Sequence, residues 1–340
     1  MKEYRVEAAD DGQTLKKYVA KVLPKAPNSV IYKALRKKNI DLNGKKADGS
    51  EKLKTGDRVS IWFSDEVFQK FEKPNPQAGK AEESAKKPSK QEYSAFKRSI
   101  IFEDDNIIVM NKPAGLLSQG DSSGDVSLND LLLSYFEENS KSNSKAFKPG
   151  IVNRLDRNTS GLVLGGLSHK GLEELSQLIK DRRLTKIYRC IVFGEVKKGD
   201  RLKGFMLRDE EANKVEILSS LPDGVIHKKA AEMEIETEYK PLSHISHDGV
   251  VMTELEVNLI TGRHHQIRGH LASIGHPVMG DVKYGTAESM EASKKLNIGR
   301  QLLHAYSIAF PALKGALGSL SKKEFKAALP EDMNQLLKYR

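Results

Sequence analysis

The sequence predicts an α+β protein: a small N-terminal α+β module linked to a larger unit built on a mixed or antiparallel sheet. Three observations carry this reading. Strand and helix signals alternate through residues 98–340. Consecutive strand signals around 231–260 have no helix between them, which favours a mixed or antiparallel sheet over a doubly wound parallel one. From Gln69 to Ala95 there is no Ile, Leu, Val or Met, so that stretch has too little apolar surface to offset its ordering entropy. The predicted division is a module over 1–63, a flexible linker over 64–97 and a main domain over 98–340. A chain of 340 residues suits roughly two domains.

Within the N-terminal module, Pro27, Asn28 and Ser29 open a helix with Val30, Ile31, Ala34 and Leu35 on its apolar side. Arg36, Lys37 and Lys38 end it, where cations suit the helix dipole, and Asn39 is placed as a left-handed cap. Ile40–Leu42 then leads to Asn43-Gly44, the pair that favours a type I′ hairpin turn, followed by Lys45 and Lys46. Thr55-Gly56-Asp57 is a further turn into the strand-like run Arg58–Phe63.

In the main domain, Ile107–Met110 is a strand running into a Pro- and Gly-marked loop, and Leu128 to Phe136 is helical. Ile151–Val152 and Leu162–Leu164 flank a polar turn. Leu172, Leu175, Leu178 and Ile179 have helical spacing after a Ser168 cap. Lys186 to Val196 is a strand that alternates Ile187, Arg189, Ile191 and Phe193 with Tyr188, Cys190 and Val192. Strands follow at 231–239, 250–260 and 302–310. Between the last two, Ile267, Leu271 and Ile274 mark a helix that Gly275 ends.

Composition narrows the function. Hydrophobic residues make up 38% and charged residues 30% of the chain, enough for a core under a soluble surface. Mean hydropathy is −0.52, and no run approaches the roughly 20 apolar residues a membrane span needs. The start, MKEYRVEAAD, lacks the apolar stretch of a signal peptide, so a cytoplasmic protein is expected. The lone cysteine, Cys190, excludes an internal disulfide and a cysteine-based zinc site. Net charge is +10, of which residues 1–63 carry +7 (15 basic, 8 acidic). A cationic block of this kind suits a phosphate backbone, although a solvated basic face would look the same. No nucleotide-binding glycine loop of either common pattern is present.

Two polar constellations remain. RLDRNTSG (154–161) places Arg154, Asp156 and Arg157 in a turn between apolar strands. A self-satisfied Asx-type turn accounts for these residues on local chemistry alone. A carboxylate beside two guanidiniums would also be kept ionised, competent as nucleophile or base. The second, TGRHHQIRGHLASIGHPVMGDVKYG (261–285), clusters Arg263, His264, His265 and Arg268 at a helix start, with His264 and Arg268 on one flank. Its four histidines lack the spacing of a zinc site, so no metal is expected. Gly280-Asp281 and Tyr284-Gly285 read as turns.

In these segments the chain resembles the RluA family of pseudouridine synthases, in particular members with an N-terminal S4 RNA-binding domain that act on large-subunit ribosomal RNA. The resemblance rests on IIVMNKPAGL (107–116), NRLDRNTSGLVL (153–164), KIYRCIV (186–192), residues 261–285 and LLHAYSIAF (302–310), and covers essentially all of 98–310. The S4 resemblance covers about 12–63. It implies a cofactor-free isomerisation of uridine in RNA. Asp156 would be the catalytic nucleophile, attacking C6 of the base or C1′ of the ribose, with Tyr188 packing on the uracil and Arg268 pairing with the aspartate. Arg154 would help displace the target base, and Arg36, Lys37, Lys38, Lys45 and Lys46 would contact RNA. Lys112 and Pro113 fall in the first motif as scaffold. Asn153 stands where the family usually has His, which bears on subfamily and substrate more than on reaction. The implied partner is ribosomal RNA, or transfer RNA, with no membrane, no small-molecule cofactor and a monomeric protein. A non-catalytic S4-containing RNA-binding or ribosome-assembly factor is the alternative, which the co-occurrence of Asp156, Tyr188 and Arg268 argues against. An S4-bearing methyltransferase would need a methyl-donor site that the sequence lacks.

Overall fold

The computed structural model describes residues 1–72, 88–139, 146–209, 214–220 and 233–340. The chain forms two sheets. The first has four strands in the order β1-β4-β2-β3, from β1 (Lys2–Arg5), β2 (Ile40–Leu42), β3 (Lys45–Lys46) and β4 (Arg58–Ile61). Helices α1 (Leu15–Val22) and α2 (Asn28–Arg36) cover it. Leu15, Tyr18, Val19, Ile31, Leu35, Ile40, Val59 and Ile61 form its core. Asn43 (φ 54°) and Gly44 (φ 75°) make the β2–β3 turn with two positive φ angles, as type I′ requires. The left-handed residue after α2 is Lys38 (φ 58°), one position before the expected Asn39. Two backbone bonds decide this: Lys38 N–H donates to Leu35 O and Asn39 N–H to Ala34 O, the paired closure of a Schellman end.

The expected linker over 64–97 needs correction at both ends. Helix α3 (Asp65–Glu72) buries Phe68 in the N-terminal core, and Glu72 accepts from Lys2 Nζ at 2.7 Å. Helix α4 (Lys90–Ser99) opens on a reciprocal Ser89–Glu92 capping box and buries Phe96 in the main core, 5.6 Å from the Tyr135 ring. Both anchors stand just outside the run of 69–95 that lacks Ile, Leu, Val and Met, so that run does not reach the ends of the 64–97 stretch. Residues 73–87 of that stretch lie outside the described residues.

The second sheet has eleven strands, and its main path runs β11-β10-β12-β13-β9-β14-β8-β6-β5. In chain order these are β5 (Ile100–Glu103), β6 (Ile107–Lys112), β7 (Gly150–Ile151), β8 (Ser160–Gly166), β9 (Thr185–Phe193), β10 (Asp200–Asp209), β11 (Lys214–Leu218), β12 (Glu234–His247), β13 (Val250–Leu259), β14 (Leu303–Ala309) and β15 (Glu324–Lys326). Only β8 and β14 run parallel; the other pairs are antiparallel, so the sheet is mixed. That parallel contact needs Gly161 (φ +113°), where a Cβ would collide with the Ala305 backbone.

Helices α5 (Leu128–Asn139) and α7 (Gln266–Ser273) lie over the face that carries Tyr188, Cys190 and Val192. Helix α6 (His169–Lys180) begins at Ser168, whose hydroxyl accepts from Gly171 N–H, and packs on the opposite face. Helices α8 (Ala287–Lys295) and α9 (Glu331–Leu336) complete that second side. The N-terminal module meets the main sheet's cover at α6, where Lys170 pairs with Asp11, and Ala146 joins the module's core. Among the described residues no helix is long and apolar enough to cross a membrane.

Two core histidines couple this fold to pH. His270 bonds to Thr237 Oγ1 and His304 to Ser160 Oγ, each at 2.8 Å, and burial holds both down to about 4 from an ordinary 6.5. The unfolded chain therefore binds more protons between pH 6.5 and 4. The stability that comes from keeping them neutral is whole above pH 6.5 and disappears as pH falls through 4. The loss amounts to roughly 3 kcal/mol per histidine. Urea unfolding at a series of pH values should show stability dropping steeply through that window; a flat profile contradicts this.

Candidate active site

The site is built where two loops are stitched together. Asn153 clamps the start of the 153–159 turn onto β8: its Oδ1 accepts from Leu164 N–H at 2.8 Å and its Nδ2 donates to Leu162 O at 3.3 Å. Both are backbone bonds, so a neutral amide serves here. Ser118 and Leu155 exchange two hydrogen bonds, and Gly115 N–H donates to Arg157 O at 2.9 Å. Lys112 ends β6 fully buried beneath both loops. Its ammonium donates to the carbonyls of Pro113, Leu116 and Arg157 at 3.0, 2.7 and 2.9 Å. Burial pushes its pKa down to about 7, while Asp156 pulls it back up. Lys112 thus spans the two segments that frame Asp156.

The Asp156 side chain is 23% exposed at the mouth of this framework. Arg268, on α7, donates from Nη1 to Asp156 Oδ2 at 2.8 Å. The rest of that guanidinium grips Asp281 in a bidentate pair, Nε to Oδ2 at 2.6 Å and Nη2 to Oδ1 at 2.7 Å. Asp281 is fully buried and also accepts from the backbone N–H groups of Lys283 and Tyr284. Burial lowers the Arg268 pKa, but Asp281 and then Asp156 outweigh it, and the net shift is upward. One fixed cation therefore bridges two carboxylates, one interior and one facing the opening.

His265 stands in the left-handed region (φ 54°) just before α7. Its Nε2 lies 3.6 Å from Asp156 Oδ2, and its Nδ1 lies 2.9 Å from Tyr284 Oη. Val215 N–H donates to that same oxygen, and a hydrogen on His265 Nε2, facing the Asp156 carboxylate, leaves Nδ1 to accept from the Tyr284 hydroxyl. Burial holds His265 down to about 4 against the pull of Asp156, which keeps it neutral near pH 7. Arg268 and His265 thus both address Oδ2, and Oδ1 makes no hydrogen bond among the described residues. Tyr188 projects from β9 on the same face. Burial first, and the Asp156 charge second, raise its pKa, so it stays a phenol.

Asp156, Arg268 and Tyr188 are brought together here. Arg154 is exposed, two residues before Asp156, with no ion pair among the described residues. Arg36, Lys37, Lys38, Lys45 and Lys46 are exposed on the N-terminal module and take no part in this cluster. His264 precedes α7 and stacks on His265 at 3.8 Å, so it does not share a helical flank with Arg268. Asp156, His264 and His265 offer three ligand atoms within 4.8 Å of one another, a proximity that chain spacing could not show. Arg268 already supplies the countercharge to that carboxylate, so a divalent cation would sit against a guanidinium. Asp281 and Tyr284, read from the sequence as turn residues, are instead the support of the site. The available signal was Arg268 itself, on the apolar side of a helix beside Ile267 and Leu271: a buried guanidinium needs a buried counter-ion.

Comparisons with known proteins identify the family. The sequence pattern of the family described as RNA pseudouridylate synthase matches residues 106–273, which span Lys112, Asp156, Tyr188 and Arg268. The ribosomal large subunit pseudouridine synthase C of Rickettsia bellii is 33% identical over 333 residues, covering 95% of this chain and 96% of that protein. An uncharacterized RNA pseudouridine synthase of Mycoplasma genitalium is 29% identical over 339 residues, covering 96% of each. The structure of human RNA pseudouridylate synthase domain containing 4 shares the fold, with a TM-score of 0.57 at 22% identity, over 73% of this chain and 94% of that one. The chain belongs to the RNA pseudouridylate synthase family, enzymes that isomerise uridine in RNA to pseudouridine.

Proposed function

We propose that Asp156 is the nucleophile of this isomerisation and that Oδ1 is the attacking oxygen. The carrying observation is the Asp156–Arg268 pair at 2.8 Å, partly open to solvent and anchored behind by Asp281. The reaction breaks the bond between ribose C1′ and uracil N1, forms one between C1′ and C5, and releases the C5 proton while N1 takes one up. A carboxylate with one oxygen held and the other free can form a covalent adduct at C1′ or C6 and then release it. Tyr188 supplies a neutral phenol and ring on the wall where the freed base would turn. Extruding the base costs a few kcal/mol, and Arg154, exposed two residues before Asp156, would fill the vacated stack.

The substrate is large-subunit ribosomal RNA, supported by the name of the Rickettsia relative, which aligns over nearly its full length. The four-stranded N-terminal module acts as an S4-type RNA-binding domain, with the main unit as the catalytic domain. The protein is taken to work as a monomer in the cytoplasm. Pseudouridine mapping of cellular RNA with and without this protein tests the target. Loss of one or more positions in large-subunit ribosomal RNA is expected; loss confined to transfer RNA contradicts it.

The basic module makes a second, quantitative prediction. Arg36, Lys37, Lys38, Lys45 and Lys46 are exposed and unpaired among the described residues, so each is available to a phosphate. Replacing Lys37, Lys38 and Lys45 with Gln should weaken RNA binding by about tenfold or more and flatten the salt dependence by about 2 in log–log slope. Titration of binding against salt checks this, and an unchanged slope means the module does not touch phosphate.

A further inference from the structure

We infer that Lys186, together with the loop 261–263, forms a binding site for an RNA phosphodiester beside the extruded nucleotide. Lys186 lies near the start of β9, two residues before Tyr188, and strand alternation puts it on the same face. That spacing corresponds to about 7 Å along the strand, within reach of the sugar-phosphate of a nucleotide whose base lies on Tyr188. The ammonium sits against Gly262: a Cβ there would lie 3.2 Å from Lys186 Nζ. Gly262 belongs to the loop between β13 and α7, the loop that also carries His265.

Among the described residues Lys186 has no ion pair and no hydrogen-bond acceptor, although it is half-buried. Its charged neighbour is Arg182, another cation; burial and that neighbour hold Lys186 below the usual lysine range. Arg263, next along the loop, has a buried Nε without a partner. Lys186 beside Arg182 and against Gly262, with the unmet Nε of Arg263 one residue further along that loop, favours an anion that the described residues do not supply. A desolvated ammonium without a counter-ion lowers stability. Its placement beside the reaction site gives that cost a use when a phosphodiester arrives. This inference rests on the proposed passage of RNA over Asp156.

The test is Lys186→Met in the full-length protein. Binding of an unmodified large-subunit ribosomal RNA transcript is measured from about 50 to 200 mM salt, beside wild type, Lys186→Arg and Asp156→Ala. Lys186→Met should weaken binding by roughly tenfold at the lowest salt and reduce the slope by about 0.7–1, whereas Lys186→Arg and Asp156→Ala keep the wild-type slope. Its melting temperature should equal or exceed that of wild type, because an unpaired desolvated charge is gone. A wild-type slope in Lys186→Met overturns the inference, and a lowered melting temperature with that slope assigns the lysine to structure. If the wild type itself shows no salt-dependent RNA binding, the underlying RNA reading fails, an outcome distinct from a missing difference between variants.

Discussion

Asp156→Ala abolishes pseudouridine formation, by about 10⁴-fold or more, while RNA affinity stays within about twofold of wild type. The effect on activity is large because among the described residues no second carboxylate addresses the same opening: Asp281 is fully buried and both of its oxygens are held by Arg268. The effect on folding is small because Arg268 keeps its bidentate partner when Asp156 is removed, so no buried guanidinium is orphaned. Asp156→Asn isolates the chemistry further, since the amide keeps the shape and loses the nucleophilic oxygen. Quantifying pseudouridine in a single-turnover reaction, alongside a binding isotherm, separates the two readouts. Turnover near the wild-type rate in either variant would remove Asp156 from its assigned role.

Arg268→Met has the second largest effect and a different signature. It costs about 3–5 kcal/mol of stability, because Asp281 is left as a buried carboxylate without its cation. It also lowers turnover by at least about 100-fold, because Asp156 loses the donor that sets its orientation. The double variant Arg268→Met with Asp281→Leu should recover most of the stability and none of the activity. Such non-additivity is expected of side chains in one network. Recovery of activity along with stability would mean that Arg268 supports the fold alone. Chemical denaturation and kinetics on wild type, Arg268→Met, Asp281→Leu and the double variant decide between these.

Much of this site was legible from the chain, and what was missed has physical causes. Alternation along β9 placed Tyr188 on the core face because strand geometry has a period of two. The Asn43-Gly44 turn and the Ser168 cap were legible because both are local backbone requirements. Asp156 and Arg268 stand 112 positions apart, and only the family resemblance linked them; spacing along the chain carries no information about a pair that β8 and α7 bring together. Asp281 and Tyr284 were misread because a turn residue and a buried counter-ion look alike in sequence; burial distinguishes them. The ends of the linker differ for another reason: the run without aliphatic side chains spans only 69–95, and Phe68 and Phe96, just beyond it on either side, are the apolar anchors of α3 and α4.

The most direct measurement of the account is tritium release from an RNA labelled at uridine C5. The C5 hydrogen leaves once for each new carbon–carbon glycosidic bond, so released label counts completed isomerisations. With purified protein and no added cofactor, wild type should release one equivalent of tritium per pseudouridine formed, and Asp156→Asn should release none above background. Release by Asp156→Asn at a rate comparable to wild type, or none from wild type on large-subunit ribosomal RNA, would contradict it.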